Sequence, residues 1–385
     1  HLSRMPKLTF IFKYIPALDG LRGIAILSVM FFHSSILHLQ GGFVGVDIFF
    51  VLSGFLITSL LINEFNKTGS INFRNFYIKR ILRLMPAMLL LLGCLWSAVF
   101  IMGGRFATTP QGLLSASLFT FFYFANWAII LGLTNWPAAI THFWSLAIEE
   151  QFYILWPTVF FLLLQYNVKI KKVIAALLVA CTLLIAWRIY LFSSQVSFSR
   201  VYFATDTRLC SMLFGCILSI VVCYGFLPIW FKRFSGHIIA ASLFALTLCI
   251  FLMNNSLKFT YYGGFEIVAL ATCMLIAASI FSQNWFTKIL SSKVLVWFGK
   301  LSYGIYLWHG VIFYFFEKIQ ISVTNSSIVL FALQFGTSLI AASASYYLFE
   351  LWFLKLKSRL VHKNEIGKSK DTTDFKKKKV IQVNY

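Results

Sequence analysis

The feature that most limits what this chain can become is a series of apolar stretches, each about 20 residues long, that recurs from one end to the other. They cover 15–38, 43–63, 84–104, 144–165, 173–192, 207–227, 237–253, 263–282, 294–316 and 326–353. A stretch of that length crosses a bilayer as one helix, because a helix satisfies its own backbone donors and acceptors where no water reaches. Composition points the same way. Hydrophobic residues make up 59% of the 385, charged residues 12%, and 43 are phenylalanine. A soluble domain carries roughly twice that charged fraction. The expected fold class is all-α, a polytopic transmembrane helical bundle of about ten spans.

Basic residues fix the expected orientation. A further stretch, 112–132, is apolar and aromatic but runs into Asn126, Trp127, Asn135, Trp136 and Pro137. If it does not cross, one face receives Arg4, Lys7, Lys13, the 74–83 cluster, Lys169, Lys171, Lys172, Lys232, Arg233, Lys288, Lys293 and the basic end of the chain. If it crosses, the later clusters all flip outward, against the positive-inside rule. The expectation is therefore that both termini are cytoplasmic and that 112–132 is a re-entrant or interfacial segment. Residues 1–354 read as the membrane domain. Residues 355–385 read as a basic, unstructured cytoplasmic tail that touches anionic lipid. The net charge of +21 belongs to this asymmetry; no nucleic-acid module is present, so nucleic acid is not an expected partner. The seven cysteines lie in apolar stretches without a C-x-x-C pair and read as buried free thiols, with no metal site expected. Asp19 and Arg22 in the first stretch argue against a cleaved signal peptide.

Ionisable residues inside spans are costly and so mark candidate sites. Arg22 and His33 lie eleven residues apart, on one helix face and about 16 Å apart along its axis. Asp19 sits one turn before Arg22, at pairing distance. Arg74, Lys79, Arg80 and Arg83 form a basic segment after the second span. It reads either as a contact to lipid headgroups or as a cradle for phosphate, which Arg forks bind well. His142, Ser145, Glu149 and Trp156 share one face of a later helix. Glu149 and Glu150 point about 100° apart, so at most one is expected to face a cavity with His142. Asp47 and Ser53 are polar points on a Gly-rich span. Asp206 is expected to cap its helix and Arg208 to face an acceptor or partner charge. Ser302, Tyr306 and His309 share a face near the end of the chain, where His309 reads equally as an interhelical hydrogen bonder and as a catalyst.

Taken in order, six segments resemble the acyltransferase-3 family of membrane acyltransferases: 18–23 with His33, 41–57, 80–86, 143–153 with its W-S-L-x-x-E-E-Q-F-Y pattern, 205–215 and 301–309. Together they cover nearly the whole chain, from about 15 to 353. The resemblance implies O-acylation of a surface carbohydrate, such as lipopolysaccharide O-antigen or exopolysaccharide. It implies cytoplasmic acyl-CoA, acetyl-CoA first, as co-substrate with no tightly bound cofactor, in a bacterial inner membrane. The family's Arg and His on the first span map onto Arg22 and His33, and its acidic residue maps onto Glu149 or Glu150. Some relatives carry a fused extracytoplasmic domain that this sequence does not include, so the membrane domain is expected to act alone or with a separate partner.

The geometry and the resemblance together suggest Asp19, Arg22, Arg74, Lys79, Arg80 and Arg83 as the acyl-CoA end, and His33 as general base. His142, Glu149 and Glu150 would orient the acceptor or the imidazole. A secondary transporter and an inactive scaffold are the competing classes; the first lacks its expected internal repeat, and intact Arg22 and His33 argue against the second. The orientation is testable by reporter fusion after Tyr385. Green fluorescent protein there should fluoresce and alkaline phosphatase should be inactive. The reverse pattern would place the tail outside and overturn the charge argument.

Overall fold

Small residues at helical spacing let the apolar helices approach until backbone meets backbone, and those contacts build the bundle. The computed structural model describes residues 14–34, 39–102, 109–323 and 326–356. In chain order the helices are α1 (Pro16–Phe32), α2 (Gly45–Thr68), α3 (Phe73–Met102), α4 (Pro110–Phe121), α5 (Ala125–Ile130), α6 (Phe143–Gln165), α7 (Ile170–Ser193) and α8 (Phe198–Phe203). They continue as α9 (Thr205–Cys223), α10 (Ile229–Arg233), α11 (Ser235–Leu252), α12 (Phe265–Phe281), α13 (Trp285–Leu290), α14 (Lys293–Val323) and α15 (Ser327–Ala344). A turn kinked at Gly263 leads into α12 at Thr260–Gly264, and a π-helical turn follows α15 at Ser345–Glu350. Among the described residues there is no strand. Pro16 opens α1 at a position where its missing N–H leaves no bond unmade. Gly69 ends α2 with φ 70°, the left-handed conformation that favours glycine.

Two pairs of helices form the closest crossings: α2 with α9 and α1 with α14. The α2–α9 crossing is reciprocal. A Cβ added at Gly54 would collide with the Met212 carbonyl, and one at Gly215 with the Val51 carbonyl. At the second crossing a Cβ on Gly299 would collide with the Asp19 carbonyl, and one on Gly23 with that of Leu295. By contrast, α7 turns Leu178, Val179, Leu183 and Trp187 outward, as a lipid-facing helix must.

Eight helices among the described residues are long and apolar enough to cross a membrane, which makes the chain an integral membrane protein. The sequence expectation of about ten counted α1 and α14 as well. Those two lie outside the eight: α1 has 17 residues and carries Asp19 and Arg22, and α14 contains Lys300. In α1, Asp19 is buried against other helices, whereas Lys300 of α14 is exposed. The 112–132 stretch is broken into α4 and α5. At 12 residues α4 spans about 18 Å, short of the roughly 30 Å of a hydrocarbon core. Two expectations are corrected. The basic cluster 74–83 is not in a loop: α3 starts at Phe73 and runs through Pro86, so those residues ride on its first turns. Of the seven free cysteines six are buried, but Cys94 is exposed on the outward side of α3. Arg4, Lys7, Lys13 and the tail from 357 onward lie outside the described residues.

The crossing at Gly54 carries a prediction. Gly54→Val should lose about 1–3 kcal/mol of stability by overpacking and melt earlier in detergent. Gly93→Ala, whose added Cβ meets nothing within 4 Å, should melt with the starting protein. Equal melting of the two variants would mean that the α2–α9 approach does not limit stability.

Candidate functional site

Helices α1, α2, α3, α6 and α14, with Thr120 of α4 and Ala125 of α5, line a cavity partly open to the outside. One end is cationic. Arg22 from α1 and Arg80 and Arg83 from α3 line it. Arg22 is held loosely by Asp19, at 4.0 Å, and Asp19 also accepts from the Tyr14 hydroxyl at 2.8 Å. Burial and that carboxylate push the Tyr14 phenol, which precedes the span, up to about 12, so it remains a donor. Arg83 makes no hydrogen bond or ion pair among the described residues. A guanidinium lining a cavity without a carboxylate partner is a ready phosphate or carboxylate receptor. Arg74 is exposed, and neither it nor Lys79 reaches the cavity.

The middle of the wall is acidic, and here the geometry corrects the sequence reading. Both Glu149 and Glu150 line the cavity, and neither pairs with His142. Arg80 reaches in from α3 between them. Its Nε and Nη2 donate to Glu150 Oε1 at 2.9 and 2.7 Å, its Nη2 lies 3.5 Å from Glu149, and its guanidinium lies 3.3 Å over the Tyr153 ring. Ser53 and Tyr153 both donate to Glu149 Oε1. The 100° offset expected for adjacent residues survives; what the helical wheel omits is that a long arginine can serve both directions. Arg80 is therefore spoken for, which leaves Arg22 and Arg83 as the receptive cations.

At the far end Tyr306 and Ser145 face each other, hydroxyl to hydroxyl, at 2.5 Å. Both also reach the His142 carbonyl, at 2.9 and 3.2 Å. Directly beyond them three histidines gather from three helices. The ring centroids of His33 and His309 are 5.1 Å apart, and those of His142 and His309 are 4.9 Å apart. Each ring is oriented by a backbone carbonyl: His33 Nδ1 to Val29 at 2.9 Å, His142 Nε2 to Leu307 at 3.3 Å, and His309 Nδ1 to Tyr306 at 2.7 Å. A carbonyl only accepts, so the nitrogen facing it carries the proton. In a neutral ring the lone pair is then on the opposite nitrogen, Nε2 in both His33 and His309; His33 is exposed and His309 fully buried. Gly310 packs under the His142 ring, where a Cβ would strike it. Among the described residues no group of three or more His, Cys, Asp or Glu is arranged to hold a metal ion.

The remaining intramembrane charges tie helices together. Arg208 does not face an acceptor: it is 1% exposed, donates to Asp47 at 2.9 Å, and lies 3.9 Å over the Phe265 ring. Ser211 donates to the other Asp47 oxygen at 3.2 Å. Asp206 does not cap α9, whose N-cap is Ala204. It is gripped by Arg200 at 2.8 and 2.6 Å and by Trp187 at 2.8 Å. Sequence reasoning missed the buried pair of Arg188 and Glu266, joined at 2.7 and 2.8 Å. A single cation in one apolar stretch and a single anion in another was the signal for it. It also missed the closed amide network in which Gln151 donates to Asn126 at 3.0 Å and accepts from Thr205 at 2.5 Å, docking short α5 on the bundle.

Comparison with known proteins agrees with this layout. The acyltransferase-domain family model matches residues 15–347. The chain is 34% identical to a Staphylococcus aureus protein provisionally named an O-acetyltransferase, over 89% of this chain and 58% of that protein. It is 34% identical to the peptidoglycan O-acetyltransferase OatA of Listeria monocytogenes, over 88% of this chain and 55% of OatA. It is 35% identical to YrhL of Bacillus subtilis, provisionally named a peptidoglycan O-acetyltransferase, over 88% and 54%. The chain thus spans little more than half the length of the curated relatives it matches. No solved structure matches it.

The buried Asp47–Arg208 pair should dominate stability on the α2–α9 side. Asp47→Ala strands a desolvated guanidinium and should cost about 3–5 kcal/mol, and Asp47→Ala with Arg208→Met should recover a large part of it. The check is melting of both variants in detergent; a single variant as stable as the double would rule the pairing unimportant.

Proposed function

This chain belongs to the acyltransferase family that residues 15–347 match, and from that premise we propose that it moves an acetyl group from cytoplasmic acetyl-CoA to a hydroxyl of a cell-envelope glycan. The observation that carries the reading is one continuous cavity wall. It begins at Arg22 and unpartnered Arg83, passes the Arg80–Glu149–Glu150 cluster, and ends at Tyr306 and Ser145 beneath the three histidines. In this reading both termini are cytoplasmic and the arginine end opens toward that side of a bacterial inner membrane. The phosphates of the donor meet Arg22 and Arg83, and the thioester reaches toward Tyr306. The peptidoglycan named for OatA is the first acceptor to test.

The chemistry is an acyl exchange. The acceptor hydroxyl oxygen forms a bond to the thioester carbonyl carbon, and the carbon–sulfur bond breaks. His33 Nε2 takes the hydroxyl proton and returns it to the departing thiolate, a contribution typically of about 10²–10⁴-fold. His309 neighbours that imidazole and His142 neighbours His309, and the Tyr306 and Ser145 hydroxyls line the cavity beside His142. Glu149 and Glu150 hold Arg80 and the shape of the wall instead of contacting the imidazole.

Radiolabel transfer from acetyl-CoA to glycan by protein in liposomes tests this. His33→Ala should lose transfer by about 10²-fold or more. Arg83→Ala should raise the KM for acetyl-CoA by roughly tenfold or more, as expected for loss of a charge-assisted contact. Near-normal turnover in His33→Ala would remove the proposed base. Labelled glycan absent from wild type, with no release of coenzyme A, would favour the transporter or scaffold classes.

A further inference from the structure

A second concavity lies outside the site described above. Its floor is the buried ring of Tyr261, stacked on Phe192 with centroids 4.4 Å apart and planes 17° from parallel. That floor is fixed from two sides. Arg188 donates to the Tyr261 carbonyl at 3.1 Å, and the Tyr261 hydroxyl donates to the Asn255 carbonyl at 2.8 Å. Tyr262 stands nearly perpendicular to Phe192, its hydroxyl 2.6 Å from Ser193 Oγ, and Phe198 closes the opposite wall. Tyr262 and Phe198 are each 48% exposed. Gln195, Ser256 and Lys258 supply polar groups at the rim, and Lys258 makes no ion pair among the described residues. The turn Thr260–Gly264, kinked at Gly263, presents Tyr261 and Tyr262 in succession.

This concavity opens on the same end of the bundle as His33. The loop after α1 is tied to the segment beside it: Gly41 N–H donates to the Ile250 carbonyl at 3.1 Å, and Asn254 donates to Gln40 at 3.0 Å. A file of aromatic rings joins the two places. His33 meets Phe32, Phe32 meets Phe43, Phe43 meets Tyr202, and Tyr202 meets Phe198, with centroids 5.0–6.1 Å apart at each step. Flat, rigid aromatic faces bordered by amide, hydroxyl and ammonium groups suit a sugar ring, which has an apolar face and a polar edge. A plain interfacial belt would turn its aromatics toward lipid headgroups; here Phe192 and Tyr261 stack within a polar-rimmed hollow.

We propose that this concavity is a distal acceptor subsite, which grips a glycan chain several sugars away from the hydroxyl presented to His33. The proposal rests on the acyltransferase reading and adds a preference for polymeric over short acceptors. The test uses the full chain in nanodiscs with His33→Ala, so that binding is read without turnover. The probes are a disaccharide and an octasaccharide released from peptidoglycan by a muramidase. The octasaccharide should bind roughly tenfold more tightly than the disaccharide, an advantage that Phe198→Ala and Tyr262→Ala remove and Tyr262→Phe retains. No length advantage at the outset, or one untouched by both alanine substitutions, overturns the subsite. Competition of the octasaccharide by anionic lipid alone, again with no length dependence, would assign the hollow to headgroups and also overturn it. Transfer by wild-type protein is scored separately. Length-dependent binding without transfer would sink the transferase reading alone, and transfer without length dependence would sink the subsite alone.

Discussion

A charge inside a bilayer must find a partner, and the pairs that satisfy this demand are also the cross-braces of the bundle. Arg208 on α9 meets Asp47 on α2, Arg188 on α7 meets Glu266 on α12, and Arg80 on α3 meets Glu150 on α6. Each pair joins two helices that the apolar sequence alone would let slide. Phe265 lies against both Arg208 and Arg188, so two of the braces share one aromatic plate. The price of desolvation explains why these arginines are forked to carboxylates or capped by rings instead of reaching for lipid headgroups.

Against that background the exceptions acquire meaning. Arg83 lines the cavity without a carboxylate, and Arg22 is held by Asp19 only at 4.0 Å. These two are the cations able to take a new anion without breaking a brace. The histidines form the complementary exception: polar, close-set and oriented by backbone carbonyls. Tyr306 and Ser145 stand between the two groups. A donor bound by the arginines and an acceptor presented to the histidines would meet at that hydroxyl pair, which is why the proposed reaction is placed there.

Much of this site was legible before any coordinates. The pairing of Asp19 with Arg22 and the face carrying Ser145, Glu149 and Trp156 follow from helical repeat; Arg22 lines the cavity, whereas His33, just past the end of α1, is not among its lining residues. Ser53 does meet Glu149, and Trp156 bonds Thr58, both on α2. What failed was partner assignment. A helical wheel gives a direction and not the element that lies in it, so one of Glu149 and Glu150 was expected to face the cavity with His142 when α3 supplied Arg80 to both. Asp206 was read as a cap because it stands next to a helix start, yet Arg200, six residues earlier, bends back to take it. The basic cluster was read as a loop because charge was equated with water; α3 extends through it, and within it Arg80 is met by the two glutamates and the Tyr153 ring.

The sequence by itself determined that this chain is a helical membrane protein, which residues in it are chemically expensive, and which of them share a helix face. Those properties follow from composition and local repeat, which neighbours far along the chain cannot alter. Only the tertiary structure decided that His33, His142 and His309 form one cluster, that Arg80 is committed while Arg83 is not, and that an aromatic hollow lies four ring contacts from His33. These are distances between segments separated by roughly seventy residues or more, and they are set by where glycine-lined crossings such as Gly54–Gly215 allow the helices to meet.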